Sequence, residues 1–408
     1  MNHIIRNPIR RSTPQSSRIL VVARCNGWTG IARLPKALQH AGFKVAVLCY
    51  PEAFLAKTRY VDTYYLLKNN EHSDEEFGQL MARAIVDWKP QLVVPGDEPT
   101  IHLLHWLTQD REGIASMPDK VLKVLQRSLG SPEHFVSTNN KNTTCRVASE
   151  LGLRVPEQVH VKNPNEALRF YARRSDRAVV LKAPCGWAGL GVRVCANEAQ
   201  IRSAFKRLSN LEGVGPINDH PPVPESAKTK QNAAWLDSHF LSAQQFISGT
   251  AAIYSAVALK GELLAGYSAL KELVHLPPTG PGAVVRFIDH PEMTATASTL
   301  INHFRYTGFI EFCFMVEKNT GHAYLLECNP RPAPIASLGS QIGVDLCEAL
   351  FRKLNRRRAR ASNSFKAGTV IAIFPQEWRR DPESAWLRNA CHDVPWDDPE
   401  LLKSIITS

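Results

Sequence analysis

Residues 325–332 read Leu-Leu-Glu-Cys-Asn-Pro-Arg-Pro. The apolar run at 323–326 suits a buried strand, yet it leads into Glu327, Asn329 and Arg331, spaced two apart. Side chains two apart on a strand share a face, so Glu327 and Asn329 point together and Arg331 continues the row just past the strand end. Upstream, residues 308–317 carry Glu311 alone inside a run of Phe, Ile, Met and Val. A hairpin closed by Asn319-Thr320-Gly321 would bring two carboxylates, an amide oxygen and a guanidinium onto one sheet face. Burying a carboxylate unpaired is costly. Two readings relieve the cost: a hard divalent cation taking oxygens from Glu311, Glu327, Asn329 and phosphates, or a structural ion pair between Glu311 and Arg331.

A second constellation lies at 181–192, Leu-Lys-Ala-Pro-Cys-Gly-Trp-Ala-Gly-Leu-Gly-Val. A strand delivering Lys182, followed by Gly186, Gly189 and Gly191, would let backbone N–H groups approach polyphosphate oxygens while the lysine supplies a point charge. The order GxxxxGK[ST] is absent and the loop leads into a strand, so this is not a Walker loop. Read alone, it is also compatible with an ordinary turn.

Further out, residues 18–25, 44–49 and 91–95 read as strands, with a turn at Asn26-Gly-Trp-Thr-Gly30 and helical patterns at 31–42 and 101–108, a β-α-β start with a parallel sheet. The turn lacks the GxGxxG spacing of dinucleotide sites, which weakens an NAD(P)-binding reading. Helices are expected at 137–151, 163–174 (Asn163 as N-cap), 197–208 and 291–305. Strands are expected at 158–161, 178–182 and 192–195, and a three-strand meander at 241–248, 251–259 and 262–273. Residues 209–233, with Pro216, Pro221, Pro222 and Pro224, read as an insertion or linker. The boundaries implied are 1–17 as a disordered basic tail, 18–130 as an N-terminal unit, 131–208 and 234–350 as two further units, and 351–408 as a C-terminal appendage packed on them.

Composition narrows the field. With 408 residues, 44% of them hydrophobic, the chain can build a large core, and its formal charge of +11 favours anionic partners. Nine cysteines without a CxxC pair suggest neither a disulfide framework nor a zinc site, and point to a reducing, cytoplasmic setting. No run is long enough to span a bilayer, and residues 1–17 lack the apolar core of a secretory signal, though a basic transit peptide stays open. The basic run at 351–360 reads as the cationic end of a helix starting near Gly343; no aromatics interleave with it, so no nucleic-acid partner is expected.

Taken in order, four motifs resemble the ATP-grasp superfamily, the fold shared by biotin carboxylase, the carbamoyl phosphate synthetase large subunit and D-alanyl-D-alanine ligase. They are Asn140-Lys141 ahead of Gly152-Leu-Arg-Val-Pro156, the Lys182 glycine loop, Gln244-Gln245-Phe246-Ile247-Ser248-Gly249, and Glu311 with Glu327-Cys-Asn-Pro-Arg331. The resemblance implies an α/β fold: a Rossmann-like parallel-sheet domain followed by a two-subdomain ATP-grasp module. It implies that Lys141 and Lys182 hold ATP phosphates, that Gly186, Ala188, Gly189 and Gly191 close over them, and that Gln245, Phe246 and Ile247 form the adenine hinge. Glu311, Glu327 and Asn329 would be ligands of Mg²⁺ (two ions, with Mn²⁺ as a substitute), and Arg331 would steady the transferred phosphate. The implied activity is a ligase that converts a small-molecule carboxylate to an acyl phosphate and joins it to an amine; bicarbonate activation and a non-catalytic nucleotide sensor are the alternatives. Arg286 is expected to contact an acidic group of the substrate, Asp97 and Glu98 an amino group, and a homodimer is left open. One departure stands out: relatives often carry an acid two places after the hinge glycine, where this chain has Thr250-Ala251-Ala252 after Gly249.

Overall fold

The computed structural model describes residues 17–67, 73–109, 117–175, 177–184, 189, 191–209, 240–275, 279–358 and 365–408. Its strands form three sheets. The first holds β1 (Arg18–Val22), β2 (Lys44–Cys49), β3 (Thr63–Leu66) and β4 (Leu92–Pro95) in the order β3-β2-β1-β4, all parallel. Residues 19–22 are buried on both faces, as a helix-covered parallel sheet requires of a continuous Ile/Leu/Val run. Strand order reverses at β1, with β2 on one side and β4 on the other, so a crevice opens at the carboxyl ends of β1 and β4, where such sheets place ligands.

The second sheet is small and antiparallel: β5 (Gln158–Val161), β6 (Val179–Lys182), β7 (Val192–Cys195) and β8 (Leu241–Gln245), in the order β5-β8-β6-β7. It closes a core of its own with the helices Pro164–Ala172 and Glu198–Ser209. The third sheet has seven strands, β9 (Gly249–Leu259), β10 (Glu262–Val274), β11 (Gly282–Ile288), β12 (Gly308–Glu317), β13 (Ala323–Asn329), β14 (Val370–Ala372) and β15 (Cys391–His392), ordered β13-β12-β9-β10-β11-β14-β15. One of its faces packs on the helix Pro291–His303 through Phe312, Phe314 and Leu325. The other shares a continuous core with the parallel sheet, Ile253, Tyr267 and Phe287 meeting the cluster of Ile19, Val21 and Val47.

Several expectations change. The three-strand meander does not form: β9 and β10 are a hairpin, but β8 belongs to the small sheet, because the chain crosses from one sheet to the other at residues 246–248. Gly249 makes the crossing fit, since a Cβ there would lie 2.0 Å from the Val316 carbonyl oxygen. The single helix expected at 137–151 is broken at Asn140, whose Oδ1 accepts from the N–H groups of Asn142 and Thr143, both at 3.0 Å, and starts a new helix at Lys141. The basic helix begins at Leu346 with Asp345 as its cap, and it crosses the boundary expected at 350/351. Ser17, placed in the tail, is buried and donates to Asn355 Oδ1 at 2.8 Å.

The C-terminal segment is no separate appendage. β14 extends the large sheet beside β11, and Asp393 reaches into the N-terminal unit, where the Arg33 guanidinium donates to it and to the Phe374 carbonyl. Thr58 donates to Asp398 at 2.6 Å. The linker reading for 209–233 falls almost wholly outside the described residues.

Candidate active site

The expected hairpin forms, with Glu311 opposite Asn329 and Cys313 opposite Glu327. Its register holds a feature the alternation does not reveal. A bulge between Cys313 and Phe314 pairs Phe314 with Leu325, so Leu326 is the extra residue. Leu325 and Cys328 therefore both enter the core under the Pro291–His303 helix, while Glu327 and Asn329 stand together on the opposite face. Strict alternation back from Asn329 would have put Leu325 on the polar face.

On that face Glu311 is 6% exposed. Its Oε1 accepts from Asn329 Nδ2 at 3.1 Å and Cys313 Sγ at 3.3 Å, whereas Oε2 is buried with no hydrogen-bond partner. Glu327 differs. Burial pushes its carboxyl upward, but the charges of Lys141 and Lys182 overcome that and hold it at about 2. Lys141 Nζ lies 3.3 Å from Glu327 Oε2, placed there by the Asn140 cap and by its own N–H donating to Pro184 O at 2.9 Å. Lys182 ends β6 opposite Ser242; burial pushes its ammonium down, partly offset by nearby Cys145 and Glu327.

Arg331 is tied to the N-terminal unit. Its Nε and Nη2 donate to Glu98 Oε1 at 2.8 and 2.7 Å, and its guanidinium carbon stands 5.2 Å from the centre of the Trp28 ring. Burial lowers its pKa, but Glu98 and Glu311 more than reverse that and raise it above the ordinary guanidinium value. The structural pair with Glu311 thus gives way to one with Glu98, and Glu98 is not free to grip an amine. Asp97 is also spent: its Oδ2 accepts from the N–H groups of Arg24 and Cys25 at 2.7 and 2.8 Å, and its Oδ1 from Thr100 at 2.9 Å.

Gln245, Phe246 and Ile247 lie where the chain leaves the small sheet, and Gln245 is tied to Glu157 by its N–H at 2.8 Å and its Oε1 at 3.3 Å. Gly189, at φ +76°, packs on Thr279 of the β10–β11 loop so closely that a Cβ would meet Thr279 Oγ1 at 2.3 Å. Gly191 accepts from the Ala183 N–H at 2.8 Å. Gly186 and Ala188 lie outside the described residues.

Arg286 is not brought to the site. Its neighbours Val285 and Phe287 enter the core shared with the parallel sheet, on the face of Tyr267 and Glu311, so Arg286 projects from the other face and donates to Glu272 Oε1 at 2.5 Å. Lys271, unmarked by the motifs, does belong: it is on the Glu311 face, near enough for its charge to act on the Cys313 thiol.

Lys141, Lys182, Lys271 and Arg331 face Glu98, Glu311 and Glu327, so the fixed charges leave an excess of only one positive charge and a polyanion would need added cations. Among the described residues, no group of three or more His, Cys, Asp or Glu gathers as a metal site. The donor set is two carboxylates and an amide oxygen, and the orphaned Glu311 Oε2 suits a hard divalent ion.

No protein-family model matches the chain, and no curated protein sequence matches it. Solved structures do. The biotin carboxylase domain of 2-oxoglutarate carboxylase from Hydrogenobacter thermophilus, a dimer in complex with MgADP, ADP and bicarbonate, aligns at a TM-score of 0.60 with 16% identity, over 87% of this chain and 74% of that one. N5-carboxyaminoimidazole ribonucleotide synthetase from Thermotoga maritima aligns at 0.55 and 16%, over 87% and 79%. The L-amino acid ligase from Bacillus licheniformis aligns at 0.53 and 13%, over 84% and 75%. At these identities the likeness is one of fold.

Proposed function

We propose that this chain, which has the ATP-grasp fold, is an Mg-ATP-dependent ligase that activates a carboxylate as an acyl phosphate and joins it to an amine. The observation that carries the reading is the polar face of the β12–β13 hairpin: a buried carboxylate oxygen without a partner, Glu311 Oε2, beside a second carboxylate held ionised by two lysines.

Lys141 and Lys182 take the phosphates of ATP, and Glu327 keeps both ammonium groups aligned until nucleotide arrives. Because the Gln245 N–H is engaged with Glu157, the main chain of Phe246 and Ile247 reads the adenine edge. Glu311, Glu327 and Asn329 would hold Mg²⁺, which when bound supplies the further positive charge a polyphosphate needs. The substrate carboxylate oxygen attacks the γ-phosphorus and ADP leaves; the amine then attacks the acyl carbon and phosphate leaves. Arg331 orients the transferred group. Arg286, on the far face, has no part in this.

The test is ADP and phosphate release with Mg-ATP across acids and amines offered singly and in pairs. Release requiring one acid and one amine supports the ligase. A second reading, bicarbonate activation, is favoured by the bicarbonate in the Hydrogenobacter domain, and release on bicarbonate without an amine would select it. Nucleotide binding with no turnover on the whole panel would refute both and leave a sensor.

A further inference from the structure

Arg331 and Glu98 are 233 positions apart, and both are shielded from solvent, with side chains 6% and 13% exposed. Glu98 opens the helix Glu98–Gln109 at the carboxyl end of β4, and Trp28 lies on the turn following β1, so both come from the crevice of the parallel sheet. A guanidinium has five donor hydrogens. Those on Nε and on one side of Nη2 converge on the single oxygen Glu98 Oε1, and Nη1 donates to Pro332 O at 3.3 Å. What remains is one hydrogen on each terminal nitrogen, two donors that can be offered to two oxygens of a phosphate or carboxylate. Trp28 covers one face of the ring plane and removes a further freedom.

We propose that Glu98, supported by Trp28, is a positioning residue that aims the two free donors of Arg331 at the transferred phosphoryl group, which makes the N-terminal sheet a working part of the ATP site. The proposal rests on the ligase reading. It differs from a plain buried ion pair in what it predicts: an ion pair sustains folding alone, whereas a positioning contact sustains recognition of the phosphoryl group separately from the nucleotide.

The experiment uses the full chain with MgADP and then inorganic phosphate as probes, in calorimetric titrations of wild type, Glu98→Gln, Glu98→Asp and Trp28→Phe. Wild type should bind phosphate when MgADP is saturating. Glu98→Gln should keep MgADP affinity within about twofold while losing tenfold or more in phosphate affinity. Glu98→Asp, which keeps the charge on a shorter arm, should recover part of it, and Trp28→Phe should show a smaller loss of the same kind. If Glu98→Gln does not fold, the other two variants decide by the same split. Equal phosphate affinity in variant and wild type overturns the proposal. So does tighter phosphate binding, which would mark Glu98 as a competitor of the anion, and so does a wild type that binds MgADP but no phosphate. Failure of wild type to bind MgADP instead removes the ligase reading beneath it.

Discussion

The two walls of the site are built differently. The small sheet, which supplies Lys182 and leads into the hinge, has a self-contained core formed by Val179, Leu181, Phe170 and Ala243. The large sheet, which supplies Glu311, Glu327 and Asn329, shares its core with the parallel sheet and is extended by C-terminal strands. Its Arg331 is bound across to Glu98, and Arg33 ties the N-terminal unit to Asp393. The carboxylate wall is therefore continuous with most of the fold, and the lysine wall is attached through residues 246–248, the start of the helix Lys141–Glu150 and the contact of Gly189 with Thr279. Damage to the first should be felt in stability and catalysis together, and damage to the second in nucleotide affinity.

The strongest break of that contrast is at the C-terminal tie. Arg33→Met leaves Asp393 buried without its cation, and a loss of roughly 3–5 kcal/mol in unfolding free energy is expected by denaturant titration. An unchanged midpoint would make the C-terminal segment an appendage after all. Glu327→Gln should lower turnover by roughly 100-fold or more with the fold retained by circular dichroism; near-wild-type turnover would end its role between the two walls. Lys182→Met should weaken MgATP binding about tenfold, read by calorimetry, without lowering the Tm, because it removes a cation that burial disfavours. A large fall in Tm would show that the lysine wall also carries the fold.

The smallest effect concerns pH. Glu327 titrates at about 2 in the folded chain against an ordinary 4.5, so its carboxylate stabilises above the ordinary value and that contribution is lost as pH falls from 4.5 toward 2. Wild type should lose Tm faster than Glu327→Gln across this window. Parallel slopes would deny Glu327 its lysine partners.

Much of this was legible in the sequence because it is local. The β12–β13 hairpin, the parallel start and the Lys182 strand follow from apolar runs and turn residues, whereas the pairing of Glu311 with Asn329 needs the bulge at Leu326, without which Glu311 would stand opposite Cys328. What was missed depends on non-local register. Arg286 alternates between two core residues, so only its pairing to β10 and β14 decides which face it takes. β8 looks like the strands after it, and leaves them because Lys182 and Val179 pair with it from far upstream. The bulge at Leu326 was written in the sequence only as two adjacent leucines before a glutamate. Glu98 and Arg331 carry no periodic signal linking them; their pairing follows from how the parallel sheet packs on the large one.

The most direct test of the central claim follows oxygen. With the carboxylic acid selected by the panel labelled with ¹⁸O in its carboxyl group, the account predicts that the phosphate released during ligation carries one labelled oxygen, since an acyl phosphate transfers that atom when the amine displaces it. Unlabelled phosphate from a turnover that consumes ATP and forms the joined product would contradict it.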